Sequence, residues 1–463
     1  MLRWSTRTLI LLLISVLIIC PPLAAGYLNL TRAESTSDQL ESSQYYEAAA
    51  RLLSWRPDLY ELAGLKAFPT DPQRAIQMLI IARKKGALTP SGQVILGDAY
   101  FATGETEQAI REWESLFNEK QETGKVAPRL AQEYHILGQY TAETQVLRQW
   151  LDFDPVNADA SERLGLILAA SAASEALPLL ETASAASPDN ASRLENLISA
   201  LETPADDPAY RLALCGQALA QMNEWPLAGQ AFSLAVDANP EYAAAWAWLG
   251  LARQQNKAAN ALEALEYANR LDGKSAPLHA MLGTYWVRAG QNQKARAEFD
   301  TATQLEPSNP AWWLALAGTA SQTDLAFALK AYLQAVNLDP QDDKSWYALA
   351  AFCVENNAYL EDYGLDAALR AFALDPKNPD YMVMLGRAEM GTGQSGAAEV
   401  MFKKALAAGT PGTAFVQHFH LGLLYLQTRR EAQAKDELQQ TLKLDPQGPY
   451  GKQAKTLLER YFP

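Results

Sequence analysis

The chain has 463 residues, of which 49% are hydrophobic and 20% are charged, and its formal net charge is −14. This apolar content is enough for a large folded body, and the acidic balance argues against nucleic acid as the main partner, because phosphate binding needs clustered Lys and Arg. Cys20, Cys215 and Cys353 form no CxxC pair, so the sequence excludes a thioredoxin-like motif and a zinc knuckle, and we expect no disulfide.

The first predicted element is an apolar segment at residues 1–28. Two arginines precede an uncharged run at 9–19, and a Pro-Pro pair follows it. A membrane-spanning helix needs about 20 apolar residues, a length that the run reaches only when 20–28 is included. The segment is therefore either a transmembrane signal anchor, which we favour, or a cleaved signal peptide. A lipidated Cys20 is a third interpretation.

Each of these interpretations sends the remainder of the chain across a membrane, since basic residues before an apolar run stay cytoplasmic. We therefore predict a single-pass membrane protein with an extracytoplasmic body, or alternatively a secreted or periplasmic protein after cleavage. The polar stretch 29–41 predicts a flexible spacer, and a leading helix is expected at 40–55.

A single pattern then recurs through most of the chain, in which a leucine followed by a small residue opens a helical stretch. Successive leucines are 33 to 36 residues apart, apart from one step of 51 in which Cys215-Gly216 takes the leucine's place at the end. We call these leucines the anchors: Leu62, Leu96, Leu130, Leu164, Leu249, Leu282, Leu316, Leu349, Leu385 and Leu421.

A period near 34 residues has room for two helices of about a dozen residues and two short turns. In the second half of the period, Ala, a large apolar residue and another Ala follow at intervals of four and three, which traces one face of a helix. Proline then ends the unit. The small residue after each anchor predicts that the second helix packs closely on the first.

The unit at 279–307 carries this pattern almost completely, with His279 before the anchor, followed by Leu282, Gly283, Trp286, Ala295, Phe299, Ala302 and Pro307. The pattern resembles the tetratricopeptide repeat (TPR) family over roughly residues 56–448, with His279 in the Trp position of the repeat. The resemblance implies an all-α, right-handed superhelical α-solenoid of about eleven helix-turn-helix units. In such a solenoid the first helix of each unit lines a concave wall. We expect a bacterial protein of this family that is membrane-anchored or exported.

The single step of 51 residues is one and a half periods long. We interpret 189–208 as one additional helix followed by a Pro/Asp linker. The predicted organisation is thus an N-terminal sub-array, a linker, a C-terminal sub-array and a capping helix, at 42–202, 203–208, 209–448 and 449–463.

Sequence motifs for catalysis are missing from the chain. It contains no HExxH, no Gly-rich phosphate loop and no GxSxG. His418 and His420 are two residues apart, so on a helix they point to different sides and do not form a metal pair. We predict a protein that is not an enzyme and has neither cofactor nor metal.

Residues just before the anchors are apolar or aromatic in the second sub-array, which predicts a groove for another protein or peptide. The alternative is that these side chains pack between repeats. The predicted partner-binding residues are Trp248, Trp312, Leu314, Tyr347, Met384, Phe419 and His420.

These features predict a non-catalytic scaffold that binds an apolar helix or peptide in the concave groove. The alternative is a glycan-binding or carbohydrate-processing accessory protein of the cell envelope, whose aromatic side chains stack on sugars. The sequence identifies neither the partner nor the oligomeric state.

Overall fold

A computed structural model describes residues 6–204, 207–410 and 412–462. Within these ranges the chain forms 26 α-helices and one π-helical turn, and no residue is in a β-strand. The predicted all-α class is confirmed. The chain divides into two compact units, Met1–Ala231 (unit 1) and Phe232–Pro463 (unit 2).

Unit 1 is a series of helices, and each of the first twelve packs against its neighbour in the chain. Its helices are α1 (Thr6–Ser35), α2 (Gln39–Leu52), α3 (Asp58–Ala67), α4 (Pro72–Lys84), α5 (Pro90–Ala102), α6 (Thr106–Asn118), α7 (Thr123–Ile136), α8 (Tyr140–Phe153), α9 (Ala158–Leu168), α10 (Ala173–Ala186), α11 (Pro188–Glu202) and α12 (Pro208–Gln221), with α13 (Trp225–Ala238) crossing the unit boundary. The additional helix predicted within 189–208 is α11, and the predicted leading helix is α2.

Unit 2 consists of stacked helix pairs up to the end of the described chain. Its helices are α14 (Ala243–Gln255), α15 (Ala261–Leu271), α16 (Ala276–Arg288), α17 (Asn292–Leu305), α18 (Pro310–Ala320), α19 (Leu325–Leu338), α20 (Asp343–Asn356), α21 (Leu365–Leu374), α22 (Pro379–Gly391), α23 (Ser395–Ala408), α24 (Ala414–Gln427), α25 (Glu431–Leu444) and α26 (Pro449–Tyr461). The predicted closing helix is α26. The number of repeats, the handedness of the solenoid and the sub-array boundaries stay predictions.

The small residue after each anchor allows the two helices of a pair to pack closely. A Cβ at Gly386 of α22 would lie 2.6 Å from Cε1 of Phe402 on α23, which is too close for any real contact. The same relationship joins a glycine to a large side chain of its partner helix in five further pairs: Gly97 with Trp113, Gly165 with Leu180, Gly250 with Leu265, Gly283 with Phe299 and Gly422 with Leu438. The close packing predicted from the repeat is therefore confirmed.

The tryptophan before several anchors bonds to the turn that precedes its helix. The Nε1 of Trp313 donates to the carbonyl oxygen of Pro307 at 2.9 Å, and Trp246 and Trp346 donate to the carbonyl six residues earlier in the same way. In the unit where His279 replaces tryptophan, its Nε2 lies 3.2 Å from the carbonyl oxygen of Gly273, again six residues earlier. His279 thus takes over the bond that Trp makes in the other units.

The N-terminal helix α1 joins the helical stack through its C-terminal half. Leu23, Gly26, Leu30 and Ala33 recur at helical spacing and face α2, and the Ser42 hydroxyl donates to the carbonyl oxygen of Ala33 at 2.7 Å. Since Leu30 and Ala33 continue this apolar face, most of the spacer predicted at 29–41 is helical.

Much of the predicted anchor or leader lies outside what the structure describes, because residues 1–5 and the side chains up to Ile19 are not included. In the part of the chain that is described, no helix combines the length and the apolar character that a membrane crossing requires. The anchor and leader interpretations both stay predictions.

Candidate functional site

The first helices of five successive pairs in unit 2 lie side by side with the closing helix α26. They are α16, α18, α20, α22, α24 and α26, and each packs against the next in this series. On α24, the anchor Leu421 is buried in the core, and Leu423 and the largely buried Phe419, two residues after and before it, line an open concavity. Residues four apart share one side of a helix. We call the surface formed by this side of the six helices the first-helix groove.

One concavity of about 650 Å³ opens in the groove between α20, α22, α24 and α26, and we call it the C-terminal concavity. Its volume is within the range of small-molecule sites, roughly 300–1,000 Å³. Its larger apolar lining residues are Val354, Leu360, Met390, Phe419, Leu423, Pro449 and Tyr450, and its polar ones are Glu355, Asn357, Arg387, His420 and Gln453.

A π-helical turn at Leu360–Gly364 forms one edge of the C-terminal concavity. Asn357 and Tyr359, which precede it, have φ values of 47° and 56°, a left-handed conformation that is unusual for a bulky side chain. The turn brings the Leu360 side chain against Gly391 of α22, where a Cβ would collide with it. Turns of this kind are often found at functional sites.

His420 of α24 is a buried residue in the lining of the same concavity. Its ring stacks on Phe402, with ring centroids 5.6 Å apart and planes 16° apart. The residue is 7% exposed, and its Nδ1 has no hydrogen-bond partner in the described chain. Burial, reinforced by the charge of Arg387, lowers the pKa of His420 to about 3. The imidazole is therefore neutral at neutral pH.

Arg387 of α22 is half-buried in the wall of the C-terminal concavity. Among the residues that the structure describes, none forms an ion pair or a hydrogen bond with its guanidinium. Its charge acts on His420 and on Tyr347 of α20, where burial raises the pKa of the phenol, Asp380 adds to that effect and Arg387 opposes it. The guanidinium thus lies in the groove with its hydrogen-bond donors uncommitted.

A second concavity of about 620 Å³, the central concavity, is lined by residues of the consecutive helices α16 to α20 and of the turn after α18. Its lining is largely polar and includes Thr284, Asn292, Thr319, Ser321, Gln322 and Thr323 beside Val287, Phe299 and Tyr332. Glu355 lines both concavities, so the two are adjacent. Together they are more polar than the apolar, aromatic groove that the sequence predicts.

Three of the predicted site residues immediately precede an anchor. Side chains at this position pack against neighbouring helices. Trp248 stacks on Phe232 of the preceding helix, with ring centroids 5.8 Å apart and planes 12° apart, just as His420 stacks on Phe402. Met384 is 2% exposed within the core. Packing between helix pairs, the alternative considered from the sequence, therefore accounts for their apolar character.

The other predicted residues are spread along the groove helices. Trp312 is partly buried, and its Nε1 donates to Glu306 Oε2 at 3.0 Å. Leu314 and Tyr347 are also partly buried, and the Tyr347 ring packs on Tyr381 at 5.2 Å. Of the seven predicted residues, Phe419 and His420 meet in the C-terminal concavity. The complete set stays a prediction.

Sequence reasoning missed the groove residues that follow the anchors. Arg387 and Met390 lie two and five residues after Leu385, and Leu423 lies two after Leu421. A signal for them existed in the sequence, because positions two before, two after and five after an anchor follow helical i, i+4, i+7 spacing. The prediction considered only the positions before the anchor.

His418 and His420 point to different sides of α24, as their spacing predicts. His418 Nδ1 pairs with Glu437 Oε2 on α25 at 2.5 Å, whereas His420 lines the C-terminal concavity. The two rings thus face different surroundings. Within the described ranges, no three or more His, Cys, Asp or Glu side chains are grouped in a way that would hold a metal ion.

Several solved structures are similar to this chain at low sequence identity. Yeast Tom70 is 14% identical over 96% of each chain, with a TM-score of 0.40. The Cut9–Hcn1 heterotetramer of the APC/C gives 15% identity over 99% of each chain and a TM-score of 0.41. YrrB, described as a TPR protein with an unusual peptide-binding site, is 20% identical over 44% of this chain and 99% of its own, with a TM-score of 0.35.

Family models give a more direct result. No curated protein matches the chain significantly. Tetratricopeptide repeat models match residues 252–318 and residues 418–447, both in unit 2, and these ranges include α16 and most of α24. The chain therefore contains tetratricopeptide repeats in these two ranges.

Proposed function

We propose that this protein is a non-catalytic interaction scaffold that binds an apolar helix or peptide segment of another protein in the first-helix groove. Its tetratricopeptide repeats support a role in protein–protein interaction. The observation that carries the finer proposal is the C-terminal concavity, where Met390, Phe419 and Leu423 from two neighbouring first helices line one opening.

The chemistry of the groove supports a peptide as the occupant. Full burial of a Leu or Phe side chain is worth about 1.5–3 kcal/mol, and the C-terminal concavity provides the apolar surface for it. The neighbouring central concavity presents hydroxyl and amide groups, including Thr319, Ser321 and Gln322, which suit the backbone groups of a bound segment. A segment with apolar residues toward one end matches this arrangement.

Peptide-display selection on the full chain, followed by fluorescence anisotropy with a selected peptide, tests the proposal. Leu423→Glu places a charge in the C-terminal concavity, whereas Gln440→Glu adds the same charge on the exposed surface of α25. We expect Leu423→Glu to weaken binding by about tenfold or more, equivalent to ~1.4 kcal/mol, and Gln440→Glu to bind like the wild type. Equal affinities for both variants, with both shown to be folded by circular dichroism, would exclude the groove.

We also propose that the repeats function on the extracytoplasmic side of a membrane. The support is the apolar run at 9–19 with basic residues before it. Protease treatment of intact cells, with detection of a C-terminal epitope, tests the side: external protease should remove the epitope. Intact-mass measurement of the mature chain distinguishes a retained anchor from a cleaved leader.

A further inference from the structure

Four exposed apolar side chains lie at the corner where α1 packs on the end of α2. Tyr27 and Leu28 belong to α1, Leu52 ends α2, and Trp55 lies in the turn that follows. Tyr27, Leu28 and Trp55 are each more than half exposed, and Leu52 is 37% exposed. We call these four residues the N-terminal corner. Exposed apolar clusters of this kind mark contacts with another protein or with a membrane.

Contacts between α1 and α2 bring the four residues together. The two helices run antiparallel, so the end of α2 meets α1 at Gly26. A Cβ at Gly26 would lie 2.7 Å from the Leu53 side chain and 3.3 Å from the Leu52 Cβ. The Arg56 N–H donates to the carbonyl oxygen of Leu53 at 2.8 Å, and this turn keeps Trp55 beside the end of α2. The corner therefore lies at one height along α1, next to Gly26.

The aromatic side chains of the corner each carry a free polar group. Among the residues that the structure describes, none forms a hydrogen bond with the indole N–H of Trp55 or the phenol of Tyr27. A ring that combines an apolar body with a free polar end suits a membrane–water interface, where the body meets lipid and the polar end meets water.

The sequence before the corner favours a lipid surface over a protein as its partner. No charged residue occurs between Arg7 and Arg32. A helix that enters the hydrocarbon core of a membrane at Leu9 would leave it after about 20 residues, near Leu28. The corner would then lie in the interfacial layer, where Trp and Tyr are enriched.

The connection between α1 and α2 keeps unit 1 close to the segment that would enter the membrane. Only residues 36–38 lie between the two helices, and Asp38 caps α2 by accepting the N–H of Glu41 at 2.8 Å. Since α2 packs directly on α1, the body is held at the surface that α1 enters and not at the end of a long flexible spacer.

Charge contributes little to such a contact. The chain has a net charge of −14, and the arginines beside the corner are already paired, Arg56 with Asp58 at 2.7 Å and Arg51 with Glu47. The corner therefore offers apolar contact, which does not require anionic lipid.

We propose that the N-terminal corner inserts into the interfacial layer of the membrane that α1 enters, so that unit 1 itself contacts lipid. This inference rests on the proposed membrane location. It adds that the repeat body lies against the lipid surface in a defined orientation. A protein partner at the corner is the competing outcome of the test.

Spin labelling of the full chain in phosphatidylcholine vesicles tests the proposal. In a Cys20→Ser background the remaining cysteines are buried, so a nitroxide can be attached at Leu52→Cys. Ile136→Cys is the matched control, since Ile136 is also an exposed apolar residue at the end of a helix in unit 1. Power-saturation EPR compares collisions with oxygen, which concentrates in lipid, and with a water-soluble nickel chelate. We expect vesicles to protect the label at Leu52→Cys, but not that at Ile136→Cys, from nickel.

A second substitution tests whether Trp55 contributes to the contact. Trp55→Ser, combined with the label at Leu52→Cys, should lower the ratio of docked to undocked protein by about tenfold or more, because the docked state no longer buries the indole. The label should then become more accessible to nickel. Ile136→Ser in the same labelled chain should have no effect, and circular dichroism shows whether each variant is folded.

Flotation with the vesicles separates this inference from the proposed membrane location. If the chain floats with the vesicles but the label at Leu52→Cys is as accessible to nickel as that at Ile136→Cys, the inference fails. The corner is then open to a protein partner, and the membrane location stands. Unchanged protection in a folded Trp55→Ser variant also overturns the inference. If the chain does not float, the membrane location and the inference both fail.

Discussion

Arg163 of α9 donates to the Glu143 carboxylate of α8, with Nε 2.5 Å from Oε1, and the Glu143 side chain is fully buried. The same guanidinium reaches Glu224, with Nη1 2.8 Å from Oε1, in the turn that precedes α13. These contacts join residues on either side of α10 and the additional helix α11. Arg163 therefore stabilises unit 1 around the place where the regular pairing of helices is interrupted.

Arg163→Met should destabilise unit 1 by about 3–5 kcal/mol, because it leaves the buried Glu143 charge without a partner. The matched control is Arg148→Met, which breaks a pair with Glu175 in which both side chains are about half exposed; its effect should stay below ~1 kcal/mol. Urea unfolding followed by circular dichroism measures both. Similar losses for the two variants would contradict a special role for the buried pair.

Alanine substitutions at two glycines in helices of unit 2 should change the free energy of unfolding in opposite directions. Gly386→Ala forces a Cβ against Phe402, so we expect a loss of about 1–3 kcal/mol from overpacking. Gly318 of α18 has open space where a Cβ would lie, and Gly318→Ala should stabilise the helix by about 0.5–1 kcal/mol. Thermal unfolding of the two variants tests this, and a change of the same sign in both would refute it.

The sequence was sufficient to predict the structural features that depend on the repeat period. The helix pairs, the glycine beneath Phe402, the additional helix α11 and the closing helix α26 all follow from local spacing. Each of them depends on neighbouring helices sharing apolar faces, and such faces leave a regular pattern in the chain.

The groove was harder to predict because several of its residues, among them Arg387 and Met390, are only partly buried. Their positions follow from helical spacing relative to Leu385, but the repeat pattern does not specify the residue type at either position. Trp248 and Met384 are apolar because they pack between helix pairs, and apolar character alone does not separate packing from binding. The π-helical turn that places Leu360 at the site depends on tertiary contacts and has no local sequence signal.

Each unit contains one buried cysteine, so the unfolding of the two units can be followed separately. Cys215 in unit 1 and Cys353 in unit 2 are buried, and burial raises the pKa of each thiol to about 11. Cys20 is exposed. Because the thiolate is the reactive form, we expect a maleimide to leave Cys215 and Cys353 unlabelled in the folded chain and to label both in urea.

Mass spectrometry after short labelling at rising urea concentration measures the order in which the two units open. A Cys20→Ser variant serves as the control and should take up no label without urea. Rapid native labelling of Cys353 would show that the interior of the α20–α21 pair is open to solvent.

The contacts of Glu399 on α23 lead to a prediction of how acid changes the stability of unit 2. It accepts bonds from Arg430, from Lys403 Nζ at 2.7 Å and from Tyr425 Oη at 2.9 Å. The bond from Arg430, followed by that from Lys403, lowers the pKa of the carboxyl to about 2. Since this pKa is below the ordinary value of 4.5, the charged carboxylate stabilises the fold fully above about pH 4.5 and loses that effect as the pH falls toward 2.

Glu399→Gln should therefore be less stable than the wild type at pH 6, by about 1–3 kcal/mol, and the difference should narrow at pH 3. Asp436→Asn, which changes an exposed carboxylate on α25, should differ little from the wild type at either pH. Urea unfolding of the three proteins at both pH values gives the comparison. A gap between wild type and Glu399→Gln that stays constant from pH 6 to pH 3 would mean that the charge of Glu399 does not stabilise the fold, and that the loss on substitution comes from packing.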